Sequence, residues 1–140
     1  MEPELQWSHH LLLPCEATSV RRARRFAHEA LEQHDLEDLA QAVEIVVSEL
    51  ATNATLHART PFSVTMSGDD DAVLVKVRDQ SSTPPVPAVP ASPTFPEDVN
   101  ATARVGGRGL GLVSHFSSAW GVRPDAQTDG KTVWATFQIP

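Results

Sequence analysis

The chain has 140 residues, a formal net charge of −7 and an apolar fraction of 41%, which together are typical of one soluble globular domain. The excess of negative charge argues against a nucleic-acid binder, because such proteins carry a basic surface toward the phosphate backbone. A single cysteine, Cys15, leaves no partner for an internal disulfide, so a cytoplasmic location is expected. The acidic, polar start predicts no signal peptide, and no apolar run approaches the ~20 residues that cross a bilayer.

The first quarter of the chain predicts a strand followed by a helix. The strand is expected over Leu5–Pro14, where apolar residues alternate weakly. The helix is expected over residues 17–34, with Thr18 or Ser19 as its cap, because small and apolar residues recur every three or four positions. Outside that apolar stripe lie Arg21, Arg22, Arg24 and Arg25. They form either a solvated surface, which the pattern favours, or a face that binds a partner protein.

A second, longer helix is predicted over residues 35–58, with Asp35 as its cap and a wide apolar stripe. A separate stripe carries Glu49, Asn53 and His57 at four-residue steps, which stack along one side of a helix. Taken alone, these residues are most simply the solvent-exposed face of an amphipathic helix. The alternative is a cation site, since an Asn oxygen suits Mg²⁺ and a nearby carboxylate can take a proton.

A hairpin is predicted over residues 61–80, where two alternating apolar segments flank a turn of Gly68 and three aspartates. Its second strand ends at Asp79. A carboxylate at this position either accepts a hydrogen bond from an exocyclic amine, such as that of adenine, or caps a turn with Ser81 or Ser82. The residues alone favour neither interpretation.

The next segment combines proline and glycine. Six prolines between Pro84 and Pro96 exclude a central strand or a long helix, so a loop of about 25 residues is predicted. Several glycines then precede a short helical pattern: Gly106, Gly107, Gly109 and Gly111. Glycines before a helix allow backbone amides to approach phosphate oxygens, and a flexible hinge is the alternative. Their spacing matches neither a Walker A loop nor a dinucleotide fingerprint.

Two strands are predicted at the end of the chain, over residues 118–124 and 130–140, the second with clear alternation. The predicted order is β, α, α, β, β, loop, α, β, β. It indicates an α+β two-layer sandwich in which three helices cover one face of a mixed, mostly antiparallel sheet. A single domain over residues 1–140 is expected.

Four segments in this order resemble the GHKL ATPase superfamily. "SELATNATLHA" resembles its N box, "VRDQSSTPP" a modified G1 box, "GGRGLGLV" its G2 box and "GKTVWATF" its terminal strand. The chain is most similar to the anti-sigma-factor serine kinases, the RsbW-like branch common in actinomycetes, over nearly its whole length. That branch is a lone ATP-binding domain, and this chain shows no separate dimerisation helix with a phosphoacceptor histidine.

The resemblance implies a role for each matched residue. Asn53 would ligate Mg²⁺, Glu49 would be the catalytic base that prepares the attacking hydroxyl, and Asp79 would hold the adenine amine. Thr132 would lie near the adenine through a water. Around the phosphates would lie Gly107, Arg108, Gly109, Leu110 and Gly111.

Three further expectations follow from the resemblance. The ATP lid would span about residues 84–105. Lys131 would add a cation near the nucleotide but ranks below the other residues, and His57 would pack structurally rather than react. The G1 segment Asp79–Thr83 departs from the family, which generally shows D-x-G-x-G there, because it contains no glycine.

The function implied is a regulatory serine/threonine protein kinase that uses ATP and Mg²⁺. It would phosphorylate a small antagonist (anti-anti-sigma) protein, sequester a sigma factor and form a homodimer, without binding nucleic acid or membrane. The missing glycines motivate an alternative, a catalytically inactive module of the same fold that acts by partner sequestration. A free-standing ATPase or small-molecule kinase is disfavoured, since the chain shows no second domain to hold a substrate.

Overall fold

The computed structural model describes residues 6–81, 107–125 and 129–140. In chain order, the elements of these residues are β1 (Trp7–Leu13), α1 (Thr18–Gln33), α2 (Ala40–Thr52), β2 (Phe62–Gly68), β3 (Ala72–Asp79), α3 (Gly107–Phe116), β4 (Ala119–Pro124) and β5 (Lys131–Gln138). A 3-10 turn at Glu37–Leu39 leads into α2, and a π-helical segment at Asn53–Ala58 follows it.

The strands form one sheet in the order β1-β2-β3-β5-β4, and each of its four pairings is antiparallel. Every second residue of β3 is buried from Val73 to Asp79, whereas the residues between them are half-buried or exposed. Helices therefore cover one face of the sheet, because successive strand residues point to opposite faces. The predicted α+β two-layer sandwich is confirmed, and the described part of the sheet is wholly antiparallel.

The core lies between this sheet face and the helices. Small residues of α1 allow its close approach, and α2 supplies larger aliphatic side chains. The fully buried members from the helices include Ala23, Ala27, Leu31, Val43, Val46, Val47 and Leu50, and those from the sheet include Leu13, Phe62, Val64, Met66, Val73 and Val75. Each fully buried Val, Leu, Phe or Met side chain stabilises the fold by about 1.5–3 kcal/mol.

The helix starts differ from the predicted caps. The N-cap of α1 is Ala17, without a side-chain hydrogen bond, and the Ser19 hydroxyl instead donates to the Pro14 carbonyl at 2.8 Å. Asp35 adopts a left-handed conformation with φ of 57°, and the 3-10 turn begins two residues later. Asp tolerates this conformation, so Asp35 reverses the chain between the helices rather than capping the second one.

The predicted second helix is continuous in space but changes its winding. Beyond Thr52 the pattern shifts to π, and the N–H of Arg59 donates to the Ala54 carbonyl at 2.9 Å, five residues back. The hydroxyls of Thr52 and Thr55 donate to carbonyls four residues earlier, at 2.7 and 3.1 Å, which competes with regular helical bonding. Asn53 therefore lies at the junction between α and π winding.

Candidate functional site

A buried ion pair lies where β3 ends and β5 begins. Asp79 and Lys131 are register partners on these strands, and the two residues are 4% and 5% exposed. The Lys131 Nζ lies 2.9 Å from Asp79 Oδ2 and 3.1 Å from Oδ1. Both residues continue the buried alternation of their strands, so this pair is on the sheet face that the helices cover.

The Asp79 carboxylate also organises the chain that follows it. Its Oδ1 accepts a hydrogen bond from the Ser81 N–H at 2.9 Å, which is the geometry of an Asx turn. The Gln80 N–H donates to Thr60 Oγ1 at 3.0 Å and ties the same turn to the start of β2. The predicted turn-capping role of Asp79 with Ser81 is confirmed, and its role toward adenine stays a prediction.

Gly130 allows the turn before β5 to approach this site closely. A Cβ atom at this position would lie 2.5 Å from the Asp79 carbonyl oxygen and 3.0 Å from Asp125 Oδ2. The Asp125 N–H donates to the Gly130 carbonyl at 2.9 Å, and the Asp125 carboxylate binds the Arg78 guanidinium. Backbone contact therefore holds β5 and Lys131 in position beside Asp79.

The α2 helix supplies the second part of the site. Glu49 is half-buried one turn before Asn53, whose N–H donates to the carbonyls of Glu49 and Leu50. Asn53 is 8% exposed, and its Nδ2 has no hydrogen-bond partner within the described ranges. Buried polar atoms are nearly always paired, so this amide nitrogen is a candidate hydrogen-bond donor to a bound group such as a ligand or a water.

The third part is the start of α3. This helix begins at Gly107, so Gly107, Gly109 and Gly111 lie within its first turns rather than before it, and the predicted short helix is confirmed with an earlier start. Leu110 is 4% exposed and Val113 is fully buried, which anchors the helix on the core. Unpaired amides at a helix start favour anions, and glycines there leave room for them.

Some predicted site features are not brought to this place. Thr132 is buried, but it is the register partner of Arg78 and so belongs to the sheet face opposite Asp79. Its water-mediated role stays a prediction. The side chain of Arg108 and the predicted lid at 84–105 lie outside the described residues.

Lys131, which the sequence patterns rank below the other site residues, is the residue that the structure pairs with Asp79. The signal was present, because Lys131 precedes Val133 by two positions just as Asp79 follows Val77 by two. Both polar residues thus extend an apolar stripe of their strands. What the patterns lacked was the register that places the two ends side by side.

The sheet order, the polar end of β3 and the glycine-started α3 agree with one known family. The histidine kinase-like ATPase domain matches residues 13–137. The chain belongs to this family. A comparison with curated proteins finds no match.

Membership of the histidine kinase-like ATPase family supports an ATP-binding regulatory protein of the GHKL type. The residues fit a bound Mg²⁺-nucleotide: the Asn53 oxygen is a hard ligand, and its orphan amide nitrogen suits an acceptor such as a phosphate oxygen. Among the described helices, none has the length and apolar character to cross a membrane.

Proposed function

We propose that this protein is a serine/threonine protein kinase of the anti-sigma-factor type, the RsbW-like branch, which binds a sigma factor and phosphorylates a small antagonist protein. The observation that carries the proposal is the family match together with the buried Asn53, whose amide nitrogen has no partner in the described ranges. Family membership supports an ATPase or kinase, and the finer assignment extends the resemblance of the four boxes. The protein would act in the cytoplasm as a homodimer.

The proposed reaction moves the γ-phosphoryl group of ATP to a serine or threonine hydroxyl of the antagonist. The new bond joins the hydroxyl oxygen to the γ-phosphorus, the bond to the β–γ bridging oxygen breaks, and ADP leaves. Glu49 orients the hydroxyl and accepts its proton. Asn53 would hold Mg²⁺, which when bound neutralises charge on the phosphates.

The remaining residues bind and position the nucleotide. Asp79 accepts from the adenine amine at the end of β3, and the amides at the start of α3, from Gly107 to Gly111, face the phosphates. Since the transferred group needs little covalent help, positioning by these fixed elements supplies most of the catalysis.

A groove of about 340 Å³ beside α1 supports a partner-binding role. Three arginines and one glutamate line the groove together with two apolar side chains: Arg21, Arg22, Arg25, Glu29, Leu11 and Phe26. The net positive charge of this lining, on a chain with a net charge of −7, favours an acidic segment of the partner with an apolar side chain beside Leu11 and Phe26.

Phosphate transfer from radiolabelled ATP to a candidate antagonist tests the kinase proposal. We expect labelling by the wild-type protein and its loss, by a factor of at least about 100, in Glu49→Ala, because general bases contribute 10²–10⁴-fold. Glu44→Ala is the matched control, since Glu44 lies on α2 but contacts His28 instead of this site. If ATP binds and no partner is ever labelled, the kinase assignment is wrong.

A second candidate function is a non-catalytic module that only sequesters a partner. Two features favour it. Lys131 binds the Asp79 carboxylate that is expected to hold adenine, and the G1 segment contains no glycine. Calorimetry of the wild-type protein with ATP and Mg²⁺ separates the two. Micromolar binding contradicts the nucleotide-free module, whereas the absence of binding supports it.

A further inference from the structure

The Asp79–Lys131 pair changes how this site can recognise a base. A lone carboxylate offers only acceptors, but here a buried ammonium lies beside it, 2.9 Å from Oδ2. The pair presents a hydrogen-bond donor next to an acceptor. The edge of a base that is read here must therefore carry the complementary acceptor next to a donor.

The hydrogen bonds of the pair leave one acceptor position of Asp79 open and one donor of Lys131 in a long contact. The carboxylate has about four acceptor positions, and the described contacts use three of them: one for the Ser81 N–H and two for Lys131. The ammonium has three donors. Two bind Asp79, and the third is directed to the Ser81 carbonyl at 3.4 Å, the longest of these contacts. One acceptor position of Asp79 therefore remains for a ligand, and a ligand acceptor can replace the Ser81 carbonyl as the partner of the third Lys131 donor, because that contact is the longest.

Lys131 is held firmly beside Asp79. Moving it away would leave an ammonium and a carboxylate separated in a site where both residues are about 95% buried, and breaking a buried pair is strongly unfavourable. Its backbone is also held by the β3–β5 register and by the close approach of Gly130 to Asp79. A ligand that adds to the pair is thus favoured over one that separates it.

Resting on the ATP-binding function proposed above, we infer that Lys131 is a second base-recognition residue. Its ammonium donates to ring nitrogen N1 of adenine while Asp79 accepts from the neighbouring exocyclic amine. Adenine carries this donor and acceptor side by side, because the amine nitrogen and N1 are both bonded to C6. A 6-oxopurine such as hypoxanthine has them reversed, with a carbonyl oxygen facing the carboxylate and an N–H facing the ammonium, so the pair rejects it.

The first test changes the ligand and leaves the protein intact. Calorimetry of the full chain with Mg²⁺ compares ATP with 1-deaza-ATP, in which a C–H replaces N1 and the amine is retained. We expect about tenfold weaker binding of 1-deaza-ATP, because the ammonium loses its acceptor. Inosine triphosphate is expected to bind more weakly still, since both hydrogen bonds are lost.

The second test changes the protein. Lys131→Met removes the donor, so this variant is expected to bind ATP about tenfold more weakly than wild type and to lose the preference for ATP over 1-deaza-ATP. Lys76→Met is the matched control, because Lys76 lies on the same strand as Asp79 but on the opposite sheet face. It is expected to keep the preference. Circular dichroism melting checks that each variant folds. The comparison of ATP with 1-deaza-ATP on the wild-type protein does not depend on these variants.

The outcomes separate this inference from the function on which it rests. Equal affinity of wild type for ATP and 1-deaza-ATP overturns the inference alone. Tighter binding of ATP by Lys131→Met also overturns it, because Lys131 would then be a competitor for Asp79. If wild type binds no ATP, the proposed function fails and the inference falls with it.

Discussion

At the scale of single residues, Gly130 controls the position of the buried ion pair. It is the only residue type without a Cβ, and the space that a Cβ would take is filled by the Asp79 carbonyl oxygen at 2.5 Å. The strand that carries Lys131 starts at the next residue. A side chain at Gly130 would push β5 from β3 at the point where the two charged side chains meet.

Gly130→Ala is therefore expected to weaken both the fold and the nucleotide site. Overpacking of this kind costs about 1–3 kcal/mol in the free energy of unfolding, which urea denaturation measures. ATP affinity, measured by calorimetry, is expected to fall as well. Gly68→Ala is the control, since its Cβ would meet the Trp7 ring at 2.5 Å, far from Asp79. If both variants lose stability and ATP affinity equally, the positioning role of Gly130 is wrong.

At the scale of elements, contacts between aromatic side chains connect β1 to the end of α1. The Nε2 atoms of His9 and His34 are 2.9 Å apart, and the Trp7 ring stacks on His34 with centroids 4.2 Å apart. The pKa of His34 is lowered, first by desolvation and then by the neighbouring His9, while Asp35 acts weakly in the opposite direction. The folded protein therefore favours neutral His34.

This lowered pKa predicts acid sensitivity of the β1–α1 contact. Because the pKa of His34 is lower in the folded than in the unfolded state, its contribution to stability is complete above the unfolded value of about 6.5 and is lost as pH falls through the folded value. We expect the melting temperature to drop as the pH falls from about 6.5 through the lower pKa of His34 in the folded protein. His34→Gln should reduce the drop, whereas the control His10→Gln should keep it. A drop of the same size in His34→Gln would contradict the assignment.

One opposing group must be separated from this effect. The pKa of His28 on α1 is raised, chiefly by its hydrogen bond with Glu44 at 2.8 Å. This exposed pair stabilises the fold below the unfolded pKa, and its contribution is lost as pH rises through the folded pKa. A His28→Gln background removes it, so the acid-induced drop from His34 should become steeper there.

At the scale of the whole molecule, the proposed nucleotide site and the groove lined by Arg21, Arg22 and Arg25 are built from different elements. Asp79, Lys131 and Asn53 belong to the central strands and to α2, whereas the groove lies between α1 and the edge strand β1. Under the two proposals above, a nucleotide and a protein segment would therefore bind at separate surfaces.

Partner binding through the groove is expected to depend on particular arginines. Arg22→Glu reverses a charge that lines the groove, so recovery of the partner from a native-cell pulldown should fall about tenfold and become less sensitive to salt. Arg24→Glu is the matched control, since Arg24 is exposed on the same helix but does not line the groove. Equal losses in both variants would point to net charge rather than the groove.

Much of this fold follows from local patterns. The alternation in Phe62–Gly68 and Ala72–Asp79 predicts a hairpin, and the three- and four-residue recurrence of apolar residues predicts α1 and α2. Each of these elements is confirmed. The predicted cap of α1 is wrong because the Ser19 hydroxyl donates to the Pro14 carbonyl, a contact that residue spacing does not reveal.

The sequence by itself determined the element order, the α+β class and the presence of Asn53, Asp79 and the α3 glycines, because these depend on short-range periodicity and residue chemistry. Only the tertiary structure decided which polar residues meet. The contact between Asp79 and Lys131 spans 52 positions and depends on the β3–β5 register, and a shift of one residue would place Thr132 there instead. Register follows from the packing of the whole sheet against its helices, so no local pattern of residues specifies it.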